Sequence, residues 1–183
     1  MGQRPPKVAP GARSGPDLSL TEWVVLALLG EEPVHGFALA RLLQPEADLG
    51  RILTVHRPQV YRALDRLVMA GLAEPHHTEP GDAGPNRTVH RLTRRGHSVL
   101  DHWFAAPVAH VRDLRIELLV KLRLGERARR DPTPLLYAQQ AALAGTLSSL
   151  TKGGTEVDVV DRWRYHNARA ATAFLDDLLT NGL

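Results

Sequence analysis

The stretch RPQVYRALDRLVMAGLAEP, residues 57–75, decides the fold of this protein. Val60, Leu64 and Leu67 recur at i, i+4 and i+7, a spacing that places them on one face of a helix. The proline in the second position suits the first turn of a helix, and Gly71 is typical of the residue just beyond a helix end. The stretch therefore predicts a helix that packs one face and exposes the other.

Two shorter helices are predicted upstream of this one. Ser19 and Glu22 have the spacing of a capping box, which opens a helix, and Gly30 is expected to end it. Its apolar residues predict one buried face, made of Leu20, Val24, Ala27 and Leu28. A second helix is predicted over residues 36–43, and the linker after it is expected to contain a short strand at residues 52–55.

A β-hairpin is predicted downstream. Residues 72–78 and 87–92 have the pattern of its two strands, and residues 79–86 contain the glycines and prolines of a loop tip. Thr93 is expected to cap a fourth helix. Three helices followed by a two-stranded hairpin is the order of a winged helix-turn-helix. In that fold the third helix enters the major groove of DNA, and the hairpin is called the wing.

The rest of the chain is predicted to be helical. Helices are expected over residues 108–124, 135–150 and 157–179, with a charged break at 125–134 and a second break at Gly153. The predicted fold is therefore mainly α. It has three parts: a flexible basic arm over residues 1–16, a winged helix over residues 17–104 and an all-helical domain over residues 105–183.

Composition excludes several classes of protein. The chain has 183 residues, of which 43% are apolar and 23% charged, as in ordinary globular domains. With no cysteine it can form no disulfide, thiolate nucleophile, cysteine-ligated zinc site or iron–sulfur cluster. The nine histidines lack the spacing of a metal site, and no nucleotide-binding or hydrolase motif is present. We expect no metal, no cofactor and no enzyme activity.

Neither a membrane span nor a signal peptide is visible in the sequence. The longest apolar run near the start falls far short of the roughly 20 residues that a membrane span needs. The first 16 residues lack the apolar core of a signal peptide. We therefore expect a cytoplasmic protein without a membrane partner.

The basic residues are concentrated in one part of the sequence. Residues 51–95 contain eight arginines against four acidic residues, a local charge of +4, whereas the rest of the chain sums to −1. This segment is the one predicted to form the third helix and the wing. The charge distribution therefore indicates double-stranded DNA as a partner, because a phosphate backbone attracts a local cluster of arginines.

The third helix supplies most of the predicted DNA contacts. Arginine and glutamine side chains pair well with guanine and adenine edges. The polar face of the helix is expected to hold Gln59, Arg62, Ala63 and Arg66. His56 and Arg57 are expected to meet a phosphate beside the helix N-terminus, and Tyr61 to donate its hydroxyl to a phosphate. For any one of these side chains the alternative is a solvated helix face. The full set of predicted contacts is His56, Arg57, Gln59, Tyr61, Arg62, Arg66, Arg87 and Arg91.

The sequence resembles PadR-type transcriptional regulators over residues 18–124. The first match is LSLTEWVVLALLGEEPVHGFALARLL, residues 18–43, where the family has a helix followed by a Gly–aromatic pair. The second is VYRALDRLVMAGLAEP, residues 60–75, with the family's Tyr-x-x-Leu-x-x-Leu-x-x-x-Gly-Leu signature. The third is NRTVHRLTRRGHSVL, residues 86–100, with Leu-Thr-x-x-Gly at the start of the fourth helix. RDLRIELLVKLRL, residues 112–124, is similar to the start of the longer C-terminal domain in some members.

Two residues depart from the family pattern. Phe37 stands in place of the usual tyrosine, and His90 stands in place of an aromatic residue on the wing. Neither departure is expected to touch the positions that read DNA.

The resemblance implies a homodimeric transcription regulator, usually a repressor, that binds a palindromic operator. The C-terminal helices would form the dimer, and each winged helix would bind one half-site. The resemblance also implies release of DNA by a small aromatic or amphipathic effector bound near the dimer interface. The aromatic residues expected to line such a pocket are Trp103, Phe104, Trp163 and Phe174. The alternative for these four is packing in the core or in the dimer.

Two other functions are compatible with the same sequence. A protein–protein adaptor would use the winged helix as a scaffold and the C-terminal helices for docking, and it would not bind duplex DNA. A winged-helix repressor of the MarR type would share the DNA contacts but differ in its dimer architecture.

Overall fold

The structure, a computed structural model, describes residues 16–80, 86–151 and 158–183. It confirms the predicted mainly α fold that begins with a winged helix-turn-helix. The elements in chain order are α1 (Leu20–Glu31), β1 (Val34–His35), α2 (Gly36–Leu42), α3 (Arg57–Met69), β2 (Ala73–Glu79), β3 (Arg87–Leu92), α4 (Arg94–Ala105), α5 (Leu119–Arg127), α6 (Thr133–Thr151) and α7 (Val159–Asn181). Most of the predicted arm, the tip of the wing and the break at Gly153 lie outside the described residues.

α1 lies at the centre of the N-terminal half. The capping box is formed as predicted: the Glu22 N–H donates to the Ser19 hydroxyl, and the Ser19 N–H donates to the Glu22 carboxylate. The prediction of a single apolar face is wrong, because every residue over 24–29 is buried. α3, α4, α5 and β3 all pack against this helix, so its buried surface extends all the way round.

The sequence predicted that Gly30 ends α1, and this prediction is wrong. The helix continues to Glu31. A Cβ at position 30 would lie 2.9 Å from a methyl carbon of Leu100 in α4. The absence of a side chain therefore lets α1 and α4 approach each other.

The wing belongs to a three-stranded antiparallel sheet with the order β1-β3-β2, rather than to the two-stranded hairpin predicted. The additional strand is β1, which pairs through Val34 with His90. The strand predicted at residues 52–55 is wrong: the Val55 N–H donates to the Leu43 carbonyl at 3.1 Å, outside any sheet. This bond ties the linker to the end of α2, and residues 52–55 form no strand.

The Leu-Thr-x-x-Gly motif joins the end of α3 to the start of α4. Gly71 follows α3 as predicted, with a φ of 67°, a left-handed conformation that glycine adopts without strain. The Thr93 hydroxyl donates to the Gly71 carbonyl at 2.8 Å, and its oxygen accepts from the Gly96 N–H at 3.0 Å. A Cβ at position 96 would lie 2.1 Å from the Leu72 carbonyl oxygen. Glycine is therefore required where α4 crosses the end of α3.

The helix predicted over residues 108–124 is interrupted. The Val108 N–H donates to the side-chain oxygen of Gln139 in α6 at 2.7 Å, and its carbonyl accepts from the Gln139 amide at 3.2 Å. A 3₁₀ turn at Val111–Asp113 and a π-helical turn at Leu114–Leu118 follow before α5 begins. The reason is that Gln139 satisfies the buried backbone groups of Val108 in place of a helical turn.

Two hydrophobic clusters organise the described residues. The first is built from α1 to α4 and takes Val120 and Leu124 from α5. The second lies where α6 and α7 pack together and takes Leu118 and Leu122. Leu118 and Leu122 are offset by two positions from Val120 and Leu124, which places the two pairs on opposite sides of a helix. α5 therefore contributes to both clusters, and it extends to Arg127, beyond the start of the predicted charged break.

Two further observations concern the described residues. No helix there is both long enough and apolar enough to cross a membrane. No group of three or more histidine, aspartate or glutamate side chains there is arranged to hold a metal ion.

Candidate nucleic-acid interface

α3 exposes one side along its whole length. Its buried side is formed by Val60, Ala63, Leu64 and Leu67. Its exposed side carries Arg57, Gln59, Tyr61, Arg62, Asp65 and Arg66. The predicted polar face is therefore present except at Ala63. That residue lies three positions after Val60 and so faces the core.

Two side chains of the predicted polar face, Gln59 and Arg62, are each bonded to their own helix. The side-chain oxygen of Gln59 accepts from the N–H of His56, the exposed N-cap residue of α3, at 3.1 Å. The Arg62 Nε donates to the Pro58 carbonyl at 3.3 Å. Both side chains are exposed, and an exposed hydrogen bond adds little net stability, so each can be exchanged for a bond to a base edge.

One aromatic ring and two arginines connect α3 to the wing. The guanidinium carbon of Arg57 lies 5.2 Å from the centroid of the Phe37 ring, and that of Arg87 lies 5.2 Å from the same centroid. Arg57 is also 5.5 Å from the centroid of the Tyr61 ring. We call Phe37, Arg57, Tyr61 and Arg87 the Phe37 cluster. It brings predicted DNA contacts from the third helix and from the wing to one place.

Tyr61 reaches the Phe37 cluster because it packs against the start of α2. A Cβ at Gly36 would lie 2.9 Å from a carbon of the Tyr61 ring, so the ring comes this close only beside a glycine. The residue remains 36% exposed. The Gly–aromatic pair of α2 therefore places two rings beside Arg57.

Two other predicted contacts are held by carboxylates. The Arg66 Nε lies 3.0 Å from the carboxylate of Glu22, which is only 3% exposed. Arg91 lies 2.9 Å from Glu74, its partner across the wing. The sequence did not indicate either pair, because the partners are far apart along the chain.

Phe37 is the residue of this surface that the sequence does not reveal. It was expected to lie apart from the residues that read DNA, yet its ring contacts both Arg57 and Arg87. The signal that would have found it is the pairing of β1 with β3, which sets His35 opposite Val89 and so brings the start of α2 to the wing.

The four aromatic residues expected to line one effector pocket lie in two places. Trp103 and Phe104 are buried, and Trp103 stacks on Trp23 with ring centroids 5.3 Å apart. Trp163 and Phe174 lie on α7, 55% and 39% exposed, and both line a cavity of about 500 Å³. The structure therefore does not gather the four into a single pocket within one chain.

A second cavity, of about 490 Å³, lies beside the stacked pair Trp23 and Trp103. Lys121 lines it although it is only 1% exposed, and its ammonium donates to the Ala106 carbonyl at 2.6 Å and lies 3.6 Å from Glu117. Burial lowers the pKa of Lys121 to about 8, which leaves the group mostly protonated at neutral pH. The buried indole N–H of Trp103 has no hydrogen-bond partner among the described residues.

Comparison with known proteins finds one family model that matches part of the chain. Residues 25–102 match the model of the transcriptional regulator PadR-like family, which confirms the resemblance seen in the sequence over these residues. No curated protein sequence matches the chain. Bacillus subtilis PadR, solved in complex with operator DNA, aligns at 16% identity over 88% of this chain and 94% of that chain, with a TM-score of 0.47. A protein of Streptococcus mutans UA159 aligns at 14% identity over 87% and 98%, with a TM-score of 0.41.

Proposed function

We propose, since residues 25–102 match the model of the transcriptional regulator PadR-like family, that the chain is a repressor that binds a palindromic DNA operator as a homodimer. The observation that carries the proposal is the Phe37 cluster, where arginines from the third helix and from the wing meet at one surface. Guanidinium groups bind phosphate oxygens well, and the major groove is wide enough to admit an α-helix such as α3. We place this activity in the cytoplasm.

Within this surface we divide the contacts by chemistry. Arg57, Arg87, His56 and Tyr61 are assigned to phosphates, which supply most of the affinity without reading sequence. Gln59 and Arg62 are assigned to base edges. Arg66 and Arg91 would have to leave Glu22 and Glu74 to reach DNA, so we assign them smaller contributions.

The proposal is tested by selection of binding sites from random duplex DNA, followed by salt titration on the selected sequence. We expect a two-fold symmetric motif and an affinity that falls by about 0.9 log units per phosphate contact for each tenfold increase in salt. Weak binding with no selected motif would contradict the proposal and favour a protein–protein adaptor.

Arg62→Ala is expected to relax base preference at one position of each half-site, because the bidentate pair with a base is lost. The cost is roughly 1–3 kcal/mol at that position and little elsewhere. Competition between operators that differ at single positions measures the effect, with Arg129→Ala as a control arginine outside the interface. Equal weakening on every sequence would instead make Arg62 a phosphate contact.

The proposed dimer is supported by apolar surface on α7. Trp163 and Val160 are more than half exposed there, and Phe174 is partly exposed on the same helix. Grouped apolar side chains of this size are typical of interaction surfaces rather than of monomers. Sedimentation analysis is expected to give twice the chain mass of 20.1 kDa. A mass of a single chain in solution would contradict the dimer.

We further propose that a small aromatic or amphipathic effector acts at the cavity beside Trp23 and Trp103. The aromatic wall supports this assignment, and so does the indole N–H of Trp103, which has no hydrogen-bond partner among the described residues. Ser98 is exposed and lines the cavity, so Ser98→Trp would fill it without disturbing the core. A compound that releases DNA from the wild type through this cavity is expected to lose its effect on that variant. Full release from the variant would place the effector elsewhere.

A further inference from the structure

We propose that Phe37 is a positioning residue for DNA binding, whose ring orients the guanidinium groups of Arg57 and Arg87 toward one stretch of phosphate backbone. The inference rests on the proposed function, since it explains how the two arginines act together on DNA. Phe37 itself has no polar side-chain atom and makes no hydrogen bond to a phosphate or a base.

The geometry joins segments that are distant in the chain. Arg57 is the first residue of α3, and Arg87 is the first residue of β3. Both guanidinium carbons lie 5.2 Å from the centroid of the Phe37 ring, within the range of an attractive cation–π contact. The ring is therefore the common contact of one arginine from the recognition helix and one from the wing.

The physical effect of the ring is to hold two like charges near each other before DNA arrives. Two guanidinium groups repel, and the negative face of an aromatic ring offsets part of that repulsion. An arginine that is already oriented loses less side-chain freedom when it binds a phosphate. A pre-oriented pair therefore binds phosphates more tightly than two free arginines of the same charge.

Phe37 is itself held in place by the start of α2. The Ala38 N–H donates to the Nδ1 of His35 at 3.1 Å, which caps the helix directly beside the ring. Gly36 packs against Tyr61, the second ring in contact with Arg57. Leu39, two residues further along α2, is buried, whereas Phe37 is only half-buried. The ring is therefore not a central core residue.

The test compares substitutions at position 37 on the operator obtained by selection. Phe37→Leu is expected to weaken binding by about tenfold, equally on all operator variants, and to make the salt dependence shallower. Phe37→Met keeps a long apolar side chain without the ring and is expected to weaken binding as Phe37→Leu does. Phe37→Tyr keeps the ring face and is expected to stay within about twofold of the wild type. Fluorescence anisotropy at several salt concentrations measures each affinity, and thermal unfolding verifies that each variant is folded.

A double-mutant cycle separates positioning from a purely structural role. In the Arg57→Gln/Arg87→Gln background, measured at low salt, Phe37→Leu is expected to have no further effect on affinity. An equal loss in that background would overturn the inference, and so would wild-type affinity of both Phe37→Leu and Phe37→Met. A wild-type chain that binds no duplex at all would instead refute the proposed function, which makes the two failures distinguishable.

Discussion

The Gly96→Ala variant is expected to melt about 10 °C or more below the wild-type protein. The added Cβ would lie 2.1 Å from the Leu72 carbonyl oxygen, a backbone atom that cannot move aside by a change of rotamer. Relief requires α4 to separate from the end of α3, which also breaks the hydrogen bond from the Thr93 hydroxyl to the Gly71 carbonyl. A loss of about 4 kcal/mol corresponds to such a shift in a chain of this size. Thermal unfolding followed by circular dichroism measures it.

Gly145→Ala is the matched control for this substitution. Gly145 is exposed in the interior of α6, and a Cβ there would meet nothing within 4 Å. Because alanine is a better helix former than glycine by up to about 1 kcal/mol, this variant is expected to melt a few degrees higher. A Gly96→Ala protein with the melting temperature of the wild type would show that α4 does not approach Leu72 as closely as described.

The largest functional effect is expected from the Arg57→Gln/Arg87→Gln double variant. A dimer would lose four phosphate contacts, two in each half-site, and we expect the affinity for the operator to fall by about 100- to 1,000-fold. The slope of log affinity against log salt should become shallower by about 3.6, since each phosphate contact contributes about 0.9. Fold and dimer should be unchanged, because Arg57 is exposed, Arg87 is half-buried and neither belongs to a hydrophobic cluster.

The control for this prediction removes the same charge elsewhere. Arg129 and Arg162 are exposed and lie outside the arginine-rich segment 51–95. Arg129→Gln/Arg162→Gln is expected to change affinity only a few-fold, because long-range attraction to DNA is screened by salt within about 10 Å. An equal loss in both double variants would show that net charge, and not the Phe37 cluster, determines the affinity.

The sequence predicted the exposed part of the interface from helix geometry alone. Val60, Leu64 and Leu67 define the buried side of α3, so the residues between them must face outward. Arg57, Gln59 and Arg62 were expected at the surface for this reason, and they are exposed. Their roles on DNA stay predictions.

The sequence alone could not predict which side chains hold the arginines. Glu22 was identified as a capping residue of α1, and its second role as the partner of Arg66 depends on how α1 packs against α3. Phe37 meets Arg57 and Arg87 only because β1 joins the sheet. The two halves of the predicted effector pocket likewise separated, since Trp103 packs on Trp23 while Trp163 lies exposed on α7.

The sequence by itself determined the helices, the turns and the wing strands, because periodicity, Pro58, Gly71 and Thr93 act within one or two turns of the chain. Only the tertiary structure decided where the third strand lies and where the helix after residue 108 begins. It also decided that the Phe37 ring contacts both Arg57 and Arg87. Val34 pairs with His90 in the sheet, and the Val108 N–H donates to the side-chain oxygen of Gln139. These contacts depend on how distant segments pack together, so a local sequence pattern does not predict them.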